Sequence, residues 1–256
     1  MPINKIKKII RRIFLGLKAL ILIKNFSTYL KDYFGRLNGT YTLYLRNGLK
    51  IRLRANTSDL GIFNEIFLIN EYPLPKEKIK TAVDIGAHIG LFTLFISKKA
   101  ERIICFEPLK ENFRLLKENI RINGLKNVYV YNCGLSSRTY KGKIFLPKKT
   151  DRINWGVTST VPTSTEISNR YQLAKFVKPN FIFKKFNKID YLKMDCEGCE
   201  FKILPLLDLN KINFIVMEYH LYKNYKKANL IKLLKKYFKK IEKKGIRLGI
   251  LICSKN

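Results

Sequence analysis

From residue 81 onward, short apolar runs alternate with amphipathic ones, and this order constrains the fold more than any other feature. "TAVDIG" reads as a buried strand ending at a glycine, "LFTLFISKKA" as a helix and "RIICFEP" as a second strand. "KENFRLLKENIRING" is a helix with Gly124 just beyond it, and "NVYVYNCG" is a third strand. A polar stretch rich in Ser, Thr and Pro follows, from about 147 to 170. "IDYLKMD", "INFIVMEYH" and "RLGILIC" are further strands, separated by the short helix "EFKILPLLD" and the amphipathic helix "NLIKLLKKYFKKI". Strands joined through helices require right-handed crossovers. The expected fold is therefore α/β, a mostly parallel sheet with helices on both faces.

Upstream of residue 81 the grammar differs. The 256 residues are 46% hydrophobic and 12% aromatic, enough for one good core and too apolar for disorder. "YTLYLRNGLKIRLR" is two short runs around Asn47-Gly48, a hairpin signal in which both turn residues take positive φ. "SDLGIFNEIFLINEY" reads as a helix with Ser58 or Asp59 at its N-cap. At the start, Ile6, Ile9, Ile10, Ile13, Leu17, Leu20 and Ile21 recur at helical spacing, with Lys and Arg filling much of the rest. Its most apolar part, Phe14 to Ile23, is interrupted by Lys18 and falls far short of the roughly 20 residues that span a bilayer. No small-residue cleavage site follows it. Two readings remain: a basic amphipathic helix on an anionic membrane surface, or a helix docked on its own domain. The chain divides into a basic N-terminal segment (1–36), a hairpin and helix (37–80) and a main domain (81–256).

Charge narrows the partners. Lys and Arg number 51 against 19 Asp and Glu, a net +32. A bias toward Lys, Ile and Asn does not account for so large an excess, which suits nucleic acid, phospholipid or a phosphate-bearing substrate. A solvated lysine surface is the plainer alternative. Five cysteines and no evident signal peptide point to a reducing, cytoplasmic setting, at most peripheral on the inner membrane face.

In open α/β sheets the ligand sits beyond the carboxyl ends of the strands. After the first core strand come Asp84, Gly86, Ala87, His88 and Gly90, a turn that lets backbone approach a ligand and opens a helix. It departs from G-x-G-x-x-G, and Asp84 suits a cationic ligand better than a pyrophosphate. Glu107 ends the second strand, 21 residues past Gly86, where a carboxylate accepts both hydroxyls of a ribose. Asn132 ends the third, where an adenine edge could rest. Asp195, Glu197 and Glu200 follow the fourth, and Glu218 and His220 close the fifth. Four acids and one of only two histidines thus converge, and crowded like charges raise one another's pKa.

These stretches resemble the FkbM-type family of S-adenosylmethionine-dependent methyltransferases. "VDIGAHIGLFTL", "CFEPLKENFRLLKENIRING", "IDYLKMDCEGCEFKIL" and "FIVMEYH" fall in the family's order, and the match covers about residues 57 to 220. His88 stands where the family usually has asparagine; both tolerate a left-handed backbone. No clear T-L-D segment precedes "IDYLKMD". The resemblance implies a Rossmann-like seven-stranded core, S-adenosylmethionine as cofactor and O-methylation of a hydroxyl, often on a sugar or polyketide; with the strand-end acids and the basic N-terminus, the expected acceptor is a sugar, glycan, glycolipid or related hydroxyl.

For that chemistry His220, Asp195 or Glu197 would take the proton, and Asp84 would orient the cofactor's methionine end. A divalent ion on Asp195, Glu197 and Glu218 is a second reading; a metal-free site is preferred. Cys196 and Cys199 read as small residues around a turn, because no second C-x-x-C completes a zinc site. The loop around Trp155 is expected to shape the acceptor pocket. An RNA methyltransferase also fits the charge, although the Asn/Asp-Pro-Pro-aromatic stretch common in base methylation is absent. A non-enzymatic membrane- or polyanion-binding module is a third reading, opposed by intact Asp84, Gly86, Glu107 and Asp195.

Overall fold

The computed structural model describes residues 3–148, 153–156, 167–180, 182, 186–220, 227–244 and 249–255. The chain opens with α1 (Ile3–Leu22) and α2 (Phe26–Tyr33), then a hairpin of β1 (Thr40–Tyr44) and β2 (Lys50–Arg54). Helix α3 (Asp59–Phe63) continues without a break into a π-helical turn, Asn64–Ile69, which ends at the left-handed Asn70. The core follows: β3 (Ile79–Ile85), α4 (Leu91–Ile96), β4 (Ala100–Phe106), α5 (Lys110–Ile122) and β5 (Val128–Tyr131). Three further strands, β6 (Gly134–Leu135), β7 (Tyr140–Pro147) and β8 (Ile167–Val177), precede β9 (Ile189–Met194). The chain closes with the short helix Glu200–Ile203, β10 (Ile212–Tyr219), the helix Lys227–Leu234, β11 (Lys240–Lys244) and β12 (Gly249–Ser254).

Seven strands form the central sheet in the order β11-β12-β10-β9-β3-β4-β5. Strand β3 pairs in parallel with β4 on one side and β9 on the other. The chain winds outward from β3 to β5 and then returns to β9, so the crossover direction reverses at the β3/β9 junction. That switch point is where α/β sheets open a crevice. Backbones are close there: a Cβ on Gly86 would lie 1.7 Å from the Asp195 carbonyl oxygen, and φ is +76°. Only glycine fits.

Apolar residues alternate along the strands and build one core on each face. Ala82, Ile103 and Val216 join a cluster that also takes in Ala19 and Ile23, Leu43 and Ile51 of the hairpin and Phe63 of α3. Val83, Ile104 and Ile215 face the second cluster, with Met194, Leu230 and Leu234. The N-terminal segments thus share the core of the sheet. None of the described helices is long and apolar enough to cross a membrane.

Several local expectations need correction. The hairpin loop is Arg46-Asn47-Gly48, with only Gly48 at positive φ. Asn47 keeps an ordinary backbone and its Oδ1 accepts from Leu49 N–H, the three-residue turn rather than the two-residue one. Ser58 does stand at the N-cap of α3, but its side chain makes no capping hydrogen bond, and the Asp59 carboxylate is bound by Arg54. The helix after β10 ends at Leu234, not near Ile241, which lies in β11. This strand, "KIEKK", is the sheet's edge, where charged side chains are tolerated and deter further pairing. The second sheet, β6-β8-β7, takes up part of the stretch read as polar linker; residues 149–152 and 157–166 of that stretch lie outside the described residues.

Candidate active site

A cavity of about 290 Å³ opens at the switch point. Its floor is the turn after β3, one side is Glu107 after β4, and the opposite side is Asp195 and Glu197 after β9. Ile62, Ile66, Tyr72 and Trp155 close the far wall, so the N-terminal segment and the loop at Trp155 both contribute.

The turn after β3 is built by hydrogen bonds to its neighbour. Gly86 and Ala87 N–H both donate to the Phe106 carbonyl. His88 is left-handed, φ +52°, and its N–H donates to Glu107 Oε2 at 2.8 Å. Leu109 N–H donates to the other oxygen at 2.8 Å. Glu107 is thereby fixed, with a lone pair left on each oxygen. Burial pushes its carboxyl up to about 7, against the pull of these two N–H groups. Burial also lowers His88 to about 4, so the imidazole is neutral. Arg54 Nη2 lies 3.3 Å from His88 Nε2; a guanidinium only donates, so Nε2 accepts and Nδ1 carries the proton. Arg54 is also paired with the fully buried Asp59 at 2.8 Å and lies over the Trp155 ring.

Three residues expected at the ligand do not line the cavity. Asp84 is fully buried behind it, where its Oδ2 accepts from Thr93 Oγ1 and its Oδ1 lies 3.3 Å from Lys193 Nζ. Its charge faces an internal cation, not a bound one. Gly90 is a packing residue, since a Cβ there would lie 2.5 Å from Leu116 Cδ1. Asn132 turns its amide to the Glu107 and Pro108 carbonyls and ties two strand ends together.

Two buried polar lining residues escaped the sequence reading. Lys193 is buried in β9 and donates to the Gly86 carbonyl at 2.6 Å, with Asp195 Oδ2 at 3.9 Å. Burial opposes its charge, but Asp84 and Asp195 outweigh that and raise its pKa. The signal was a lysine inside the apolar run "IDYLKMD". Asn112, on the inner face of α5, lines the cavity at 1% exposure, and its Oδ1 has no hydrogen-bond partner in the structure.

The turn after β9 holds the acids. Cys196 and Cys199 are joined as a disulfide with Cα atoms 5.5 Å apart, overturning their reading as unlinked small residues. The bridge spans Glu197 and Gly198, both at positive φ. Glu200 is fully buried, and its Oε1 accepts from Cys196 and Gly198 N–H. It holds the turn and does not reach the cavity, a correction to its expected catalytic role. His220 Nδ1 lies 3.2 Å from Glu200 Oε1, and Nε2 lies 3.4 Å from Glu197 Oε2 and 3.8 Å from Glu218 Oε1. Burial opposes a charged ring here, but the Glu200 hydrogen bond and the surrounding acids push its pKa up to about 10. That shift favours the imidazolium, and neither His220 nor Glu218 lines the cavity. That corrects its expected role as proton acceptor. Burial pushes Glu197 up to about 8, with Asp195 and Glu218 adding to the shift against the opposing pull of His220. Glu218 rises to about 7, chiefly through burial and Asp195.

Metal-ligand atoms converge once among the described residues, on Asp195, Glu218 and His220, all within 4.8 Å of one another. Glu197, expected in such a set, is not part of it. A metal there would have to displace the proton that the acids hold on His220.

Residues 84–248 match the family model described as a methyltransferase FkbM domain. "Methyltransferase 1" of Beauveria bassiana is 26% identical over 168 residues, covering 57% of this chain and 66% of that protein. "Methyltransferase sdnD" of Sordaria araneosa is 28% identical over 180 residues, covering 57% of this chain and 68% of that protein. The crystal structure of methyltransferase FkbM from Methylobacillus flagellatus KT superposes with a TM-score of 0.49 at 18% identity, over 75% of this chain and 47% of that one. The match thus spans just under two thirds of the Beauveria protein and about half of the Methylobacillus chain.

Proposed function

The chain belongs to the FkbM methyltransferase family, and from that premise we propose that it methylates a hydroxyl of a sugar, glycan, glycolipid or related acceptor, with Glu197 taking the proton. It is an S-adenosylmethionine-dependent methyltransferase. The lining residues fit that cofactor. Glu107 offers two fixed carboxylate oxygens suited to a ribose diol. Asn112 offers a buried carbonyl that lacks a donor, and leaving such a group unmatched is costly. When bound, S-adenosylmethionine supplies an electrophilic methyl on a sulfonium.

What remains for the chain is to place the acceptor and remove its proton. Alignment at about 3 Å supplies most of the rate. The observation that carries the proposal is the pair of carboxylates, Asp195 and Glu197, lining the same cavity as Tyr72 and Trp155. A hydroxyl between them and the methyl can pass its proton to Glu197, whose raised pKa makes it a better acceptor than an ordinary carboxylate. The His220 imidazolium, 3.4 Å from Glu197 Oε2, orients that carboxylate from behind. Tyr72 and Trp155 give the acceptor flat apolar walls suited to the C–H face of a sugar ring.

The test is transfer of labelled methyl to glycan, glycolipid and RNA fractions. Label should enter a glycan or glycolipid and the rate should rise with pH through about 8, the value to which Glu197 is raised, because the base works only when deprotonated. Glu197→Gln should lower kcat by about 10²-fold or more while cofactor binding persists. Label confined to RNA, or full activity in Glu197→Gln, would contradict the proposal.

A further inference from the structure

Helix α1 has two apolar faces, and only one is used. Leu15, Ala19 and Leu22 pack into the first core, and Lys18 Nζ donates to the Leu68 carbonyl at 2.7 Å. Around the opposite side run Ile10, Ile13, Phe14, Leu17, Leu20 and Ile21, each between 46% and 73% exposed. Their spacing of i, i+3, i+4, i+7, i+10 and i+11 makes one continuous stripe. Scattered exposed apolar residues are ordinary, but an aligned row of six large ones marks a contact surface.

We propose that this outer face of α1 seats the protein on an anionic lipid surface. Charge selects that occupant. From Met1 to Lys31 the sequence carries eight Lys and Arg and no acid, and the whole chain carries +32. An apolar stripe beside basic residues, on a helix too polar to cross, lies in the headgroup plane. Anionic headgroups draw each nearby lysine or arginine. A second copy of the chain would bring two strongly basic segments together, which opposes association through this face. The seat also has a fixed relation to the cavity. The turn Asn64–Ile69 accepts Lys18 at Leu68 and lines the cavity through Ile66. One turn of helix therefore joins the lipid-facing helix to the acceptor wall.

The test is co-sedimentation of the full chain with phosphatidylcholine vesicles, with and without phosphatidylglycerol. Binding should require phosphatidylglycerol and weaken with salt. A variant carrying Ile13→Ser, Phe14→Ser and Leu17→Ser should bind at least about 100-fold more weakly, since three large side chains lose their burial in the lipid. These residues are exposed, so the variant should keep its melting temperature and its affinity for S-adenosylmethionine, which separates membrane seating from methyl transfer. Failure to bind phosphatidylglycerol vesicles, or equal binding by the variant, would overturn the proposal. So would dimerisation in solution that the variant abolishes, because a second copy would then cover the stripe.

Discussion

Lys193 is the residue on which the site's charge balance turns. Its ammonium links the Gly86 carbonyl, Asp84 and Asp195, and so joins the floor of the cavity to its acidic side. Lys193→Met would leave the fully buried Asp84 carboxyl without its cation. The expected loss is about 3–5 kcal/mol, read by denaturant unfolding. The double variant Lys193→Met, Asp84→Asn should lose less than the sum of the two single changes; simple additivity would show that the pair is not coupled. Glu107, Asp195 and Glu197 could be located in the sequence because each follows an apolar strand, and strand ends line the crevice. Asn112 could not, since a lone polar residue in a helix normally points to solvent, and for Lys193 the only signal is the apolar run around it. Asp84 and Asn132 were placed at the right strand ends but on the wrong side of the wall. Sequence marks a strand end; packing decides which way its last side chain turns. The same holds for Cys196 and Cys199, whose spacing is visible but whose closure depends on a turn that brings the Cα atoms to 5.5 Å.

At the scale of elements, the β3-to-β9 contact sets the geometry of the site. Gly86→Ala would drive a Cβ into the Asp195 carbonyl oxygen, forcing the two strand ends apart. The expected outcome is severe destabilisation with loss of cofactor affinity. Gly124 makes the contrast: it too has positive φ, but a Cβ there meets nothing within 4 Å, so Gly124→Ala should cost only about 1 kcal/mol in the same unfolding measurement. Equal effects at the two positions would mean that strand approach at Gly86 is not limiting. The core strands β3, β4, β9 and β10 could be read because each carries a run of buried apolar residues interrupted by few polar ones. Strands β7 and β8 were harder. They intersperse exposed lysines and polar residues with few buried positions, Ile144, Ala174 and Phe176 among them. The edge strand β11, "KIEKK", has no apolar run at all and is defined only by its pairing to β12.

At the scale of the whole molecule, the N-terminal segments act as the far wall of the domain. Ile62, Ile66 and Tyr72 add to a cavity whose other lining residues all lie within the family-matched residues 84–248. The +32 charge is visible in composition, which sets an anionic partner (nucleic acid, phospholipid or a phosphate-bearing substrate) against a plain solvated lysine surface and does not choose between them. Calorimetry tests whether the cavity holds S-adenosylmethionine against Glu107 without knowledge of the acceptor. Wild-type protein should bind S-adenosylmethionine at one site per chain. Glu107→Ala should weaken that binding by about tenfold to a hundredfold, the loss of one or two hydrogen bonds to an ionised group. No binding by the wild type, or equal affinity in Glu107→Ala, would contradict the assignment of the site.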